Sequence, residues 1–191
     1  MKMIKMYCSL KEISEEEGKK IGNWLSIKSL TENKTILDIG CGDGRNYLCS
    51  GIYVGIDNNE RIYSHKLSTG FLMKYDFSNG IIPFINKNFD IVLLIDVIEH
   101  LEKDKAIILL KEAEWIAKEK VIIYTPDGFL EQNEKEGKER DPTFDKYDIH
   151  RCGFSRKELE DMGFVIIKVC PGDNVHNREY DALLGVKNVD M

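Results

Sequence analysis

Short apolar segments alternate with amphipathic stretches along the chain from residue 35 onward. Seven segments have the length and composition of strands: Thr35–Ile39, Ile52–Ile56, Phe71–Tyr75, Phe89–Ile95, Val121–Tyr124, Phe164–Val169 and Ala182–Val186. Strands that are apolar along their whole length are buried on both faces, and helices between successive strands place those strands parallel. The sequence therefore predicts an α/β fold, with a doubly wound, mostly parallel sheet and helices on both of its faces.

Helical periodicity is clearest between Lys103 and Lys118. Apolar residues recur there three or four positions apart, at Ala106, Leu109, Leu110, Ala113, Ile116 and Ala117. A shorter helix is predicted over Ser155–Met162, where a serine supplies the N-cap. The two tryptophans, Trp24 and Trp115, are both predicted to pack on apolar helical faces.

The length of 191 residues fits a single domain, which we place at 31–191. Residues 1–30 have a ragged helical pattern and are a candidate cap over the substrate site. A membrane span needs about 20 apolar residues, and no such run occurs. The net charge of −6 disfavours nucleic acid as a partner. The five cysteines include no Cys-x-x-Cys pair, which is typical of reduced thiols in the cytoplasm.

Glycines and carboxylates follow the predicted strands at the point where each strand ends. The first strand runs into a turn with glycines at 40, 42 and 44, while Asp57, Asp76 and Asp96 follow the next three. Ligands of parallel sheets bind beyond the carboxyl ends of the strands, so these residues are predicted to share one site. Arg45 occupies the third-glycine position of a dinucleotide fingerprint, which disfavours a dehydrogenase.

Two segments make the sequence recognisable. Leu37–Gly44 reads Leu-Asp-Ile-Gly-Cys-Gly-Asp-Gly, and Phe89–Leu101 reads Phe-Asp-Ile-Val-Leu-Leu-Ile-Asp-Val-Ile-Glu-His-Leu. Together with Asp57, about twenty residues after the start of the first motif, and with Asp76, they resemble the class I S-adenosylmethionine-dependent methyltransferases. The resemblance covers about residues 35–169. It implies a Rossmann-like fold, the cofactor S-adenosyl-L-methionine and the product S-adenosyl-L-homocysteine.

The resemblance also implies which residues bind the cofactor. Residues of the glycine loop would line the methionine part, and Asp57 would hold the ribose with Asn58 beside it. Asp76 and Phe77 would bracket the adenine, while Asp96 and Val97 would close the pocket near the sulfonium. The expected cofactor-binding set is thus Asp38, Gly40, Cys41, Gly42, Asp57, Asn58, Asp76, Phe77, Asp96 and Val97.

The acceptor is expected to be a small molecule that is methylated on oxygen or nitrogen. Such an acceptor loses a proton, and the candidate bases are His100 and His150; Tyr124 is more typical of the core or of a pocket wall. Two alternatives stay open. One is metal-assisted 2′-O-methylation of RNA, and the other is a non-catalytic module that binds S-adenosylmethionine.

Asp96, Glu99 and His100 have the spacing of one face of a helical turn, which suits a divalent cation. With His150 ahead of Phe154, they resemble the Glu-x-x-Glu-His pattern of small-RNA 2′-O-methyltransferases and quinone-biosynthesis O-methyltransferases, which implies magnesium. Glu-His after the fourth strand also begins a helix in methyltransferases that use no metal. We therefore favour a site without a metal.

A charged insertion at 127–150 interrupts the alternation of strands and helices. Ten of the sixteen residues from Glu131 to Lys146 are charged, and apolar periodicity is almost lacking. A long loop of this kind within a compact domain is either a lid over the site or a solvated surface insertion.

Overall fold

A computed structural model of the chain describes residues 27, 30–42, 52–58, 70–132, 146–170 and 181–189. Within these ranges one sheet contains seven strands: β1 (Ile36–Ile39), β2 (Tyr53–Asp57), β3 (Gly70–Lys74), β4 (Phe89–Ile95), β5 (Ala117–Pro126), β6 (Val165–Cys170) and β7 (Ala182–Asn188). Their order is β3-β2-β1-β4-β5-β7-β6. The four strand pairs among β1–β5 are parallel, and β7 runs antiparallel to both of its neighbours, β5 and β6, which confirms the mostly parallel sheet.

The fifth strand is the one that differs most from its prediction. It begins at Ala117, where it pairs with Phe89 of β4, and it ends at Pro126. The sequence predicted only its buried centre, because Lys118, Glu119 and Lys120 resemble the exposed side of a helix. Lys120 pairs with Ile91 of β4 and with Asn188 of β7, which extends the strand into this charged segment.

Two helices have defined bounds, α1 (Lys103–Ile116) and α2 (Arg156–Asp161). The predicted apolar stripe of α1 is buried at each of its helical positions. The helix ends two residues earlier than predicted because Ala117 begins β5. The prediction that Trp115 packs on an apolar helical face is wrong: the residue is 47% exposed, because position 115 falls outside the buried stripe. Trp24 lies outside the described residues.

Apolar side chains cover both faces of the sheet. On one face, Leu37, Val92 and Val121 pack with α1. On the other, residues such as Ile91 and Leu93 pack with the helical residue Ile27. This arrangement confirms burial on both sides for the central strands β1 and β4, whereas the edge strand β3 is largely exposed. None of the helices in the described ranges is long and apolar enough to cross a membrane.

Helix α2 begins with a capping box that also orients the preceding loop. The hydroxyl of Ser155 accepts a hydrogen bond from the backbone N–H of Glu158, and the Glu158 carboxylate accepts one from the N–H of Ser155. The Glu158 carboxylate also accepts a hydrogen bond from Lys103 Nζ at 2.8 Å. These hydrogen bonds lower the pKa of Glu158 to about 2, and the bond from Lys103 has the largest effect. The loop before α2 is therefore fastened to the first turn of α1.

Gly153 lies where this loop passes under the segment that follows β5. A Cβ atom at position 153 would lie 2.3 Å from the backbone N and Cα of Phe129. We expect Gly153→Ala to lower the free energy of unfolding by about 3 kcal/mol, since backbone atoms on a paired segment yield little. Gly128→Ala is the matched control: a Cβ there meets open space, so only its positive φ of 88° costs about 1 kcal/mol. If urea titrations showed equal losses of unfolding free energy in the two variants, the close approach of Gly153 to Phe129 would be contradicted.

Candidate functional site

The carboxyl ends of β1, β2, β3 and β4 surround a cavity of about 450 Å³. This volume lies in the range of small-molecule sites, about 300–1,000 Å³. Eight of the ten residues expected to bind the cofactor line it: Gly40, Gly42, Asp57, Asn58, Asp76, Phe77, Asp96 and Val97. The structure thus brings together residues that lie up to 57 positions apart in the sequence.

The glycine loop is fitted closely to its neighbours. The backbone N–H of Gly42 donates a hydrogen bond to Asp57 Oδ2 at 2.7 Å, which ties the loop to the end of β2. Gly40 has a φ of +72°, and a Cβ there would lie 2.4 Å from a methyl group of Val97. Glycine is required at position 40 for both reasons. Gly44 of the predicted glycine turn and Arg45, which disfavours a dinucleotide fingerprint, lie outside the described residues.

Asp38 and Cys41 lie beneath the cavity rather than on its surface. The Asp38 carboxylate is 2% exposed and accepts a hydrogen bond from the Tyr53 hydroxyl at 2.5 Å. Cys41 is 1% exposed, and its Sγ atom would lie 2.7 Å from a Cβ atom at Gly55. Both side chains support the floor of the site.

Burial raises the pKa of Asp38 from 3.8 to about 7, against the lowering effect of the Tyr53 hydrogen bond. The folded chain therefore holds a proton that the unfolded chain has lost, so stability falls as the pH rises from about 4 to about 7. Asp38→Asn removes this titration and keeps an oxygen for Tyr53. Between pH 4 and pH 8, we expect wild type to lose about 2–4 kcal/mol of unfolding free energy relative to the variant. Urea titrations of both proteins without cofactor measure the unfolding free energy at each pH. The same pH dependence in wild type and variant would contradict the raised pKa of Asp38.

Asp76 and Phe77 form the wall of the cavity beyond β3. The Asp76 carboxylate accepts a hydrogen bond from the backbone N–H of Ser78 at 2.9 Å. Its pKa is lowered, first by hydrogen bonds from Ser78 and to a lesser extent by the positive charge of Lys146. An ionised carboxylate at this position can accept a hydrogen bond from an amine such as the exocyclic amine of adenine.

Asp96 does not share a helical turn with Glu99 and His100, as the spacing suggested. It directly follows β4 with a φ of +53°, a left-handed conformation that is rare for a residue with a side chain. A short 3₁₀ turn then spans Ile98–His100. Strained backbone of this kind is frequent at functional sites. Here it aims Asp96 into the cavity while the chain turns away from the sheet.

Glu99, His100 and His150 form a cluster in which one ligand atom from each side chain lies within 4.8 Å of the others. The two imidazole centroids are 4.9 Å apart, and the rings meet edge to face. Among the described residues this is the group that could hold a metal ion, and Asp96 is not a member. Glu99 is 1% exposed and accepts a hydrogen bond from the Thr125 hydroxyl at 3.0 Å.

The two histidines differ in their access to the cavity. His100 lines it, whereas His150 is 8% exposed and lies behind His100. Nδ1 of His150 lies 3.0 Å from the carbonyl oxygen of Leu130, and its Nε2 lies 2.9 Å from Nε2 of Gln132. Tyr124, the third candidate base, is 5% exposed and belongs to the core.

Sequence motifs missed several residues of the site. Lys146, Tyr147, Asp148 and Arg151, at or beside the end of the charged insertion, line the cavity opposite the strand ends. No local pattern distinguishes them from other charged or aromatic surface residues. Residues 133–145 of the insertion lie outside the described residues, as do residues 1–26, 28 and 29 of the N-terminal segment predicted to cap the site.

Comparisons with known proteins agree with this geometry. Residues 37–125 match the family described as a methyltransferase domain. No curated protein matches the chain. Among solved structures, a SAM-dependent methyltransferase from Methanosarcina mazei is 18% identical, with a TM-score of 0.58 and coverage of 90% of this chain and 98% of that one.

Two further solved structures are similar at full length. Magnesium protoporphyrin IX methyltransferase from Synechocystis PCC 6803, determined with bound SAH, is 16% identical with a TM-score of 0.53, and the match covers 97% of this chain and 92% of that one. The methyltransferase domain of bacterial CtHen1-C is 18% identical with a TM-score of 0.57, covering 93% and 100%. At these identities the likeness establishes the fold.

Proposed function

We propose that this chain transfers the methyl group of S-adenosylmethionine to an oxygen or nitrogen of a small-molecule acceptor. The chain is a member of the class I S-adenosylmethionine-dependent methyltransferases. The observation that carries the proposal is the cavity at the strand ends, which eight predicted cofactor residues line together. A cavity of about 450 Å³ has the size of a small-molecule site, which suits a cofactor and a compact acceptor.

Each part of the cofactor has a partner of suitable chemistry in this cavity. We assign the ribose hydroxyls to the Asp57 carboxylate, with Asn58 beside it. The adenine is assigned to Asp76 and Phe77, which supply an acceptor for the amine and an aromatic surface. The glycine loop, above Asp38 and Cys41, would hold the methionine part, which leaves the sulfonium close to Asp96 and Val97.

The reaction is an in-line displacement. The bond between the methyl carbon and the sulfonium sulfur breaks, a bond from that carbon to the acceptor oxygen or nitrogen forms, and sulfur leaves as a neutral thioether. The protein's main contribution is to hold the two reactants in line. His100 lines the cavity next to the Asp96–Val97 end, so we assign it to take the proton that the acceptor loses.

An acceptor screen with methyl-labelled S-adenosylmethionine tests this proposal. Metabolite extract passed through a 3 kDa filter and purified small RNA are offered separately, each with magnesium or with EDTA. We expect label in the small-molecule fraction, in equal amount with magnesium and EDTA. Label confined to RNA would overturn the small-molecule acceptor.

Metal-assisted 2′-O-methylation of RNA is the second candidate, because Glu99, His100 and His150 present a compact set of ligands. A carboxylate with two imidazoles suits several divalent cations, so the residues fit such an ion. When bound, a divalent ion would polarise the hydroxyl that receives the methyl group. RNA labelling that EDTA abolishes and that Glu99→Gln also loses would favour this candidate. The net charge of −6 argues against it.

The remaining assignments follow from the same proposal. Membership of a catalytic family disfavours the non-catalytic binding module. We assign the insertion at 127–150 to a lid, because its last residues line the cavity, and residues 1–30 to a cap over the substrate. The five cysteines support action in the cytoplasm, where thiols stay reduced.

A further inference from the structure

We propose that Tyr147 is a cofactor-binding residue, contributed by the charged insertion, whose ring covers the adenine of S-adenosylmethionine on the side opposite Phe77. The proposal rests on the assignment of Asp76 and Phe77 to the adenine. It adds a binding residue from the far side of the cavity, where no strand-end motif lies. Lys146, Tyr147 and Asp148 line the same cavity as Asp76 and Phe77.

Electrostatics place this turn at the adenine end of the cavity. The positive charge of Lys146 contributes to the lowered pKa of Asp76, so the two groups lie within range of each other. Tyr147 directly follows Lys146 in the chain, and the ammonium of Lys146 lies 4.8 Å from the centroid of the Tyr147 ring. The ring therefore lies beside a positive charge that acts on Asp76.

Hydrogen bonds fasten the turn to the opposite wall. The Arg151 guanidinium donates to the carbonyl oxygen of Lys146 at 2.9 Å, and the backbone N–H of Arg151 donates to the carbonyl oxygen of Glu99 at 2.8 Å. The second bond joins the turn to the short helix after β4. These hydrogen bonds thus hold residues 146–151 along the cavity, from its His100 end towards its adenine end.

An exposed aromatic ring beside a ligand cavity can contribute binding free energy when a planar ligand stacks on it. Tyr147 is 41% exposed. Stacking of a base on an aromatic side chain contributes about 1–3 kcal/mol. The corresponding loss on truncation is about 5-fold to 150-fold in affinity.

Calorimetric titration with two probes locates the effect. S-adenosylhomocysteine carries the whole cofactor product, whereas 5′-methylthioadenosine retains the adenosine and lacks the amino-acid part. We expect Tyr147→Ala to weaken both affinities by the same factor, about tenfold. Tyr147→Phe keeps the ring and should bind both probes within about twofold of wild type. Phe129→Ala is the matched control, since Phe129 is a 60% exposed aromatic that does not line the cavity.

The outcomes separate this proposal from the proposed function. Unchanged affinity for both probes in Tyr147→Ala, or a loss for S-adenosylhomocysteine alone, would overturn the adenine contact while the cofactor site stands. An equal loss in Phe129→Ala would also overturn it, because the effect would then not be specific to position 147. Failure of the wild-type protein to bind either probe would overturn the cofactor site itself. Thermal unfolding of each variant checks that the fold is intact.

Discussion

Replacing Asp57 by asparagine should weaken the affinity for S-adenosylhomocysteine by about 100-fold. The carboxylate lines the cavity and also accepts a hydrogen bond of 2.7 Å from the backbone N–H of Gly42. Hydrogen bonds to a charged group contribute about 1.5–3 kcal/mol each, and two ribose hydroxyls would lose their charged acceptor. The neutral amide has the same shape, so the loss reports charge rather than volume. Calorimetric titration of wild type and variant measures it.

Asp90→Asn is the matched control for this experiment. The Asp90 carboxylate accepts hydrogen bonds from the backbone N–H of Thr35 and from Lys118, at the amino end of β4. It lies at the end of the sheet opposite the cavity, so its replacement should leave cofactor affinity unchanged. Equal affinities of wild type and Asp57→Asn would remove Asp57 from the cofactor site.

Replacing His100 by glutamine should lower kcat by about 10²-fold to 10⁴-fold, the usual contribution of a general base. The glutamine amide can occupy the same wall of the cavity and form hydrogen bonds, but it cannot take a proton from the acceptor. We expect the affinity for S-adenosylhomocysteine to stay within about threefold of wild type, because the base acts on the acceptor. Single-turnover rates with labelled cofactor measure the methyl-transfer step directly.

His150→Gln and Glu99→Gln show which role the histidine cluster has. If His100 acts alone as the base, these two variants should lose less activity than His100→Gln, since His150 and Glu99 are buried behind it. Equal losses in all three, together with inhibition by EDTA, would instead indicate a shared metal ion. Full activity of His100→Gln would exclude both roles for this residue.

Much of the fold could be predicted because its signals are local. Strand β4 has its predicted bounds, Phe89–Ile95, since five consecutive core residues, Ile91–Ile95, alternate between the two buried faces. The cavity at the strand ends was equally predictable. Parallel strands bring their carboxyl ends to one edge, so residues that follow strands, such as Gly40 and Asp57, meet there whatever the loops between them do.

Contacts between distant loops could not be predicted in this way. The sequence spacing grouped Asp96 with Glu99 and His100, but the left-handed backbone at Asp96 removes it from that group. The hydrogen bonds that link His150 to the Leu130 carbonyl oxygen and to Gln132, and the one that Arg151 donates to Lys146, depend on how two loops cross. Nothing in the local pattern at Tyr147 indicates that it faces the cavity.

The sequence by itself determined the order of strands and helices and the residues at the strand ends, because burial periodicity and glycine conformation act over a few positions. Only the tertiary structure decided that Asp38 supports the floor of the site, that Trp115 is exposed and that His150 lies behind His100. These placements depend on which loops and helices pack together. Such packing is set by the sum of many weak contacts between residues far apart in the chain.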